Sequence, residues 1–422
     1  MKRNRYMVGL VFLTFFVMSL VTNILGPIVP DIITSFRLSL AAAAFLPFSF
    51  FVAYGLVSIP AGFVVERFGE KRVMIAAFVA STVGSLLFAF RPTYLVAVVS
   101  LFVIGAGMAT LQVAINPLLR VAGGEEHFAF NSAFAQLIFG LASFFSPWLY
   151  SYLVLNLNRP ASNTNLLLSS LARVTPPALP WASVYWIFTA VTILMIWVLG
   201  VSRFPKVERT SAEAAGSMGM YAELFRKPMV WLFFLSVFAY VGSEQGTADW
   251  ISKFLAEYHG FDPHTTGAAA VGWFWGLLTA GCFIGMLLLK VFDSRKVLIG
   301  FCIAALFCLT FALFGSARTS LLAFPAIGLC ASVMWPILVS LSLNSVAEYH
   351  GAFTGILSTG IMGGAVVPLV IGRIGDHFGL RTGIGVLYLT FGCVLTVGFW
   401  AKPIITNATV KLKKSPVAEV TT

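Results

Sequence analysis

Glu244 lies about 15 residues into the apolar stretch 229–256, which at 1.5 Å per residue of helix is on the order of 22 Å deep. An ionisable group at that depth is costly unless a proton or a cation neutralises it, so by default it marks function. Asp249 follows five residues later, about 140° around an ideal helix, so the two acids share a face only where the helix unwinds. Gly242 and Gly246 make room for such unwinding. An opened segment holding Glu244, Thr247 and Asp249 would offer the oxygens a sodium ion takes, whereas Glu244 alone would suit a proton. The other reading of Asp249 is an acid at the mouth of the span, facing water. Glu244 and Asp249 are therefore the candidates for ion coupling, with H+ or Na+ as the coupled ion and no cofactor expected.

A second set of residues has the chemistry of polyol recognition. Planar amides bond pairs of hydroxyls, and aromatic faces cover the apolar C–H side of a sugar ring. Asn23, Gln112, Asn116, Asn131, Gln136, Gln245 and Asn344 all fall inside apolar segments, and Gln112 and Asn116, four apart, share a helix face. Trp335 supplies an aromatic face, and Trp250, Trp273 and Trp275 are further candidates. The competing readings are interhelical hydrogen bonding for the amides and interfacial anchoring for Trp250 and Trp273.

The elements that must carry these residues are membrane helices. Of the 422 residues, 59% are hydrophobic and only 10% charged, against roughly 25% charged in a soluble domain. Twelve segments are long and apolar enough to span a bilayer: 7–29, 43–65, 73–90, 94–118, 128–153, 181–201, 229–256, 266–290, 297–314, 319–345, 352–374 and 381–401. The first is expected to be an uncleaved helix, since its apolar run continues through Asn23, Gly26 and Pro27.

The chain also repeats itself. Gly62 through Arg72 matches Gly285 through Arg295 at a spacing of 223, which also brings Ile104-Gly105 onto Ile327-Gly328, Gly140 onto Gly363 and Gln112 onto Trp335. The expected fold is thus an all-α membrane protein of twelve transmembrane helices in two pseudo-symmetric six-helix bundles, with a substrate site between them. The bundles are expected at 1–201 and 229–402, joined by a cytoplasmic linker at 202–228 and followed by a cytoplasmic tail at 403–422. The connection at 154–180 reads as a mobile loop.

Of the 27 Lys and Arg residues, nineteen fall on the side that holds both termini and eight on the other. That asymmetry places both termini in the cytoplasm of a multi-pass plasma (inner) membrane protein, and leaves the Asn407-Ala408-Thr409 sequon silent. The +11 net charge is a topology signal. Its scattered cations do not form a nucleic-acid surface, and the lipid bilayer and a small-molecule substrate are the expected partners of a monomer.

The five cysteines lie within spans without metal-ligand spacing, no Walker-type phosphate loop occurs, and the five histidines lie in or near loops, so neither an enzyme nor an ATP-driven pump is expected.

Where the chain leaves the second span it reads Gly62-Phe-Val-Val-Glu66-Arg67-Phe-Gly69-Glu70-Lys71-Arg72. This resembles the second-to-third loop signature of the major facilitator superfamily, with Glu66 standing where Asp is usual. The resemblance implies a gate latch made by Glu66, Arg67 and Arg72, and the alternative is a positive loop that only fixes topology.

Leu111-Gln112-Val-Ala-Ile-Asn116-Pro117, Phe130-Asn131-Ser-Ala-Phe-Ala135-Gln136 and Tyr240-Val241-Gly242-Ser243-Glu244 are similar to motifs of the fucose:proton symporter family. That family carries monosaccharides, chiefly hexoses, with protons or sodium, by alternating access. Three acids or amides of its pattern are changed here: the fourth-helix Glu is Gln112, the first-helix Asp is Asn23, and a fifth-helix Asn is Ala133. Coupling, if retained, must then rest elsewhere, or the chain is a uniporter. Gly140 through Pro147 is a weak echo of multidrug:proton antiporters, and a transporter-like receptor that does not translocate is the reading from another class.

Overall fold

The computed structural model describes residues 4–123, 128–157, 166–204, 218–346 and 349–403. Most of the linker (205–217), residues 158–165 and the tail from 404 with its sequon lie outside the described residues, as does the side chain of Asn116.

All regular structure among the described residues is helical. Lipid offers the backbone no hydrogen bonds, so a spanning segment must satisfy its own N–H and C=O groups. Eleven helices are long and apolar enough to cross a membrane, and counting the pair Gly219–Phe225 and Pro228–Ala248, bent by 85°, the total is twelve. They are numbered here as spans in chain order.

Helix starts are capped by short polar side chains. Asn4, Ser39, Asp293 and Ser316 accept from backbone N–H groups at the starts of the first, second, ninth and tenth spans. Burial pushes the Asp293 carboxyl up, but bonds from Arg295 and the backbone outweigh it and hold the group below the usual carboxylate range. The second and eleventh spans both end at a glycine in the left-handed region, Gly69 at φ +80° and Gly379 at +85°, where a side chain would be strained.

The 223-residue repeat is visible in packing. A Cβ on Gly105 of the fourth span (Tyr94–Gly123) would meet the carbonyl oxygen of Phe50 on the second (Leu40–Phe68). A Cβ on Gly328 of the tenth (Ala317–Leu343) would meet that of Phe274 on the eighth (Pro263–Val291). The same glycine lets the same two backbones meet in each half. Buried apolar side chains accordingly form two clusters, one drawn from Met7 to Leu199 with Ala268 and Ala365, the other from Tyr221 to Ala401 with Val29 and Ala44.

Among the described residues the first, seventh and tenth spans each open for two residues, while the eleventh passes through a 3-10 turn at Gly360–Met362 and the twelfth is interrupted at Gly385. The first runs Arg5–Thr22 and Leu25–Phe36, the seventh Pro228–Ala248 and Ile251–His259, and the tenth Ala317–Ala331 and Met334–Leu343. The expected unwinding at Gly242 and Gly246 is therefore corrected: the helix is continuous there and opens at Asp249 and Trp250. Those glycines instead let the eleventh span (Ala352–Phe378) approach, Gly242 against Val367 and Gly246 against Ile371 and Val367. The connection at 154–180 is also more structured than a plain loop, since the helix Leu166–Val174 buries Leu168 and Leu171.

Span ends fall on two faces. The terminal face gathers Asn4, bonded to Ala122 at the end of the fourth span, and Tyr6, bonded to Ser202 at the end of the sixth. Arg295 reaches Ala401 there from the start of the ninth span. The opposite, distal face carries the ends of the first, fifth, seventh and eleventh spans.

Candidate functional site

The seventh span positions its acids through its own periodicity. Tyr240, one turn before Glu244, donates its hydroxyl to Glu244 Oε1 at 3.0 Å. The Tyr240 ring lies 6.1 Å from that of Trp335 on the tenth span, just past the break at Ser332 and Val333. That break frees the Ser332 carbonyl, which accepts the Cys282 thiol of the eighth span at 3.5 Å. Glu244 and Trp335 are half-buried while Tyr240 is buried. A carboxylate, a phenol and an indole plane thus converge at mid-span with part of their surface open, an arrangement able to bond hydroxyls and cover a ring.

Asp249 sits differently. It is buried at 3% exposure and does not face water with the distal seam closed as it is in this structure. Its Oδ2 has no partner among the described residues, and neither do the adjacent Trp250 Nε1 and nearby Ser252 Oγ. A bare carboxylate in such a place costs several kcal/mol, and a proton or cation removes that cost. Trp250, wholly buried in the second core, is neither an interfacial anchor nor an open face, whereas Trp273 is half exposed beside Phe144.

The amides divide. Gln112 is half-buried on the fourth span. Gln136 is exposed one turn before Gly140, the residue that packs against Thr279 of the eighth span, so it lies on the side of the fifth span turned toward the other half. Gln245 is buried against Gly364 where the seventh and eleventh spans meet. Asn23 stands at the break of the first span and donates to Ser143 Oγ of the fifth at 2.7 Å, with Ser19 Oγ also 2.7 Å from that hydroxyl. It ties two helices, and its Oδ1 is left without a partner among the described residues. Asn131, wholly buried beside Gly123, and Asn344, bonded to Ser340 Oγ at 3.3 Å, lie toward the terminal face and apart from the mid-span group.

The loop residues Glu66, Arg67 and Arg72 are exposed on the terminal face, with the Arg67 guanidinium 5.5 Å from the Phe68 ring centre. Lys71 donates there to the carbonyls of Gly200 and Ser202 at 2.8 and 2.7 Å and so caps the end of the sixth span. Lys71 and Tyr240 are contacts the sequence does not single out, although the spacing of four between Tyr240 and Glu244 is a usable signal. Asp31 and His264, which meet at 2.8 Å, carry no such signal.

Two repeated bundles of spanning helices, broken where polar residues gather between them, define a secondary transporter fold. The chain matches the Major Facilitator Superfamily over residues 11–368 and belongs to it. It is similar to a glucose/galactose transporter of Brucella abortus, 28% identical over 382 residues and 87% of each chain. It is likewise similar to the L-fucose-proton symporter of Escherichia coli, 24% identical over 385 residues and 86% of each. The crystal structure of the E. coli fucose:proton symporter has the same fold, with a TM-score of 0.68 over 95% of this chain and 100% of that one, at 21% identity.

Proposed function

We propose that the chain carries a monosaccharide, a hexose or similar polyol, across the plasma (inner) membrane by alternating access, as a monomer coupled to H+ or Na+. Tyr240, Glu244 and Trp335 carry this reading, because an acid, a phenol and an indole at one mid-span locus match hydroxyls and the apolar face of a ring. The names of the similar proteins, glucose/galactose transporter and fucose-proton symporter, support the same substrate class.

Within this reading the sugar lies between bundles 1–201 and 229–402, with Gln112, Asn116, Gln136, Gln245 and Trp335 around it. Asn23 contributes through its unpaired oxygen, Asn344 lines the path toward the terminal face, and Asn131, buried beside Gly123, joins that path when the terminal face opens. Glu244 and Asp249 carry the ion. Both termini are cytoplasmic, so the distal face is external.

The test is counterflow. Purified protein in liposomes preloaded with unlabelled D-glucose, D-galactose or L-fucose is expected to concentrate the matching labelled sugar transiently. Binding of these sugars without counterflow would make the chain a receptor, and neither binding nor counterflow would remove the sugar reading.

The latch has its own expected result. Arg67→Ala should slow counterflow while leaving equilibrium sugar binding near that of the unaltered protein, since Arg67 lies on the terminal face, far from Glu244. Lys71→Ala should lower thermal stability as well, because it removes the cap on the sixth span. Equal losses of binding and rate in Arg67→Ala would assign the loop to the site instead of the gate.

A further inference from the structure

Asp31 stands in the distal segment of the first span, Leu25–Phe36, and both of its carboxylate oxygens are engaged. Tyr150 of the fifth span, wholly buried, donates its hydroxyl to Oδ2 at 2.6 Å, and His264 Nε2 at the start of the eighth span meets Oδ1 at 2.8 Å. Tyr150 belongs to the same half as Asp31, so it orients the carboxylate. His264 belongs to the other half, so its contact crosses the seam.

The imidazole is itself fixed in place. Asp262 Oδ1 accepts the His264 backbone N–H at 2.9 Å and lies 3.7 Å from ring Nδ1, and Asp262 Oδ2 accepts Thr265 Oγ1 at 2.9 Å. The side chains of Asp31 and His264 are 17% and 32% exposed, which shields the pair from the screening that weakens surface ion pairs.

Two further contacts cross the same face. Asp376, near the end of the eleventh span, accepts the backbone N–H groups of Leu40 and Ala41 at 2.7 and 2.9 Å, so a carboxylate of one half caps the first turn of a helix in the other. Between these points the first and seventh spans touch near their breaks: a Cβ on Gly26 would come within 2.4 Å of the Ala248 carbonyl oxygen.

We propose that Asp31, oriented by Tyr150 and paired with His264, is the lock that closes the distal face, with the exposed Asp376 clamp as its companion, and that the lock must break for the cavity to open there. The lock rests on alternating access between the halves, but on no particular substrate.

Val29, buried at 3% exposure and packed into the core of the other half, offers a reporter. In a Val29→Cys protein, the rate of labelling by a membrane-impermeant maleimide from the distal side reads how often that seam opens, with the parent protein giving the background of the native cysteines. Asp31→Ala and His264→Ala should each raise that rate roughly tenfold, and the double variant should exceed neither, because both remove the same bond across the seam. Asp376→Ala should raise it less, as its contacts face water. Unchanged rates in both single variants, or effects of the two that multiply, would overturn the lock.

A second measurement does not depend on destabilising the protein. Cysteines placed together at 31 and 264 should be joined by a short, reducible bis-methanethiosulfonate, since the side-chain tips rather than the backbones meet, and the joined protein should stop counterflow of D-galactose, with recovery on reduction. Counterflow persisting in protein shown on a gel to be cross-linked would also overturn the lock. Absence of D-galactose counterflow in the unaltered protein would count against the proposed function alone, since the labelling experiment needs no sugar.

Discussion

Glu244→Gln is expected to preserve exchange of labelled sugar between two pools and to abolish uphill accumulation driven by an ion gradient. Gln keeps the shape of the protonated acid and one acceptor for the Tyr240 hydroxyl, now at 3.0 Å, so the cavity wall survives while the titratable group is gone. One pH unit is worth roughly a tenfold accumulation ratio, so the loss is large and measurable in liposomes with an imposed gradient. Replacing pH by a sodium gradient separates the two ions. Full accumulation in Glu244→Gln, together with its loss in Asp249→Asn, would move the coupling role to the break of the seventh span, where Asp249 Oδ2 has no partner among the described residues. Full accumulation in both would leave uniport or another acid.

The second large effect is expected at the sugar itself. Gln112→Ala and Trp335→Ala, at repeat-related positions of the two halves, should each weaken equilibrium binding while expression and melting temperature stay close to those of the parent. Leaving a buried polar partner unpaired costs about 1 to 3 kcal/mol, which corresponds to roughly 5- to 150-fold in Kd. Asn116→Ala, on the same helix face as Gln112, is expected to behave alike. Sugar affinity unchanged in both Gln112→Ala and Trp335→Ala would take the binding site away from the fourth and tenth spans.

The spans were legible in the sequence because lipid leaves a crossing segment so few options, and the repeat was legible because polar residues are rare enough for their spacing to stand out. The Gly105 and Gly328 approaches show that this spacing records real packing. The location of the helix breaks was harder to read. Gly242 and Gly246 invite unwinding, yet the same absence of side chain admits the eleventh span, and nothing local distinguishes the two uses. Glu244 stood out by depth alone, while Asp31 and His264 lie 233 residues apart at the ends of spans, where a polar residue is unremarkable until the halves are seen together. The amides were legible as a group, but their division into Asn23, which ties the first span to the fifth, and Gln112, which is half-open, depends on helix rotation that periodicity cannot fix in a segment apolar on every side.

The separation of the two cores bears on how the chain is made. Among the described residues the first draws its buried members from Met7 to Leu199 with Ala268 and Ala365 from the later sequence, and Ile361 packs against it. Six helices can therefore complete nearly all of their mutual packing in the bilayer while the rest of the polypeptide is still being synthesised, and Lys71 closes that unit by fastening the start of the third helix to the end of the sixth. Biogenesis then reduces to joining two pre-assembled bodies, and the surface along which they join is the one that must later part and re-form in every cycle.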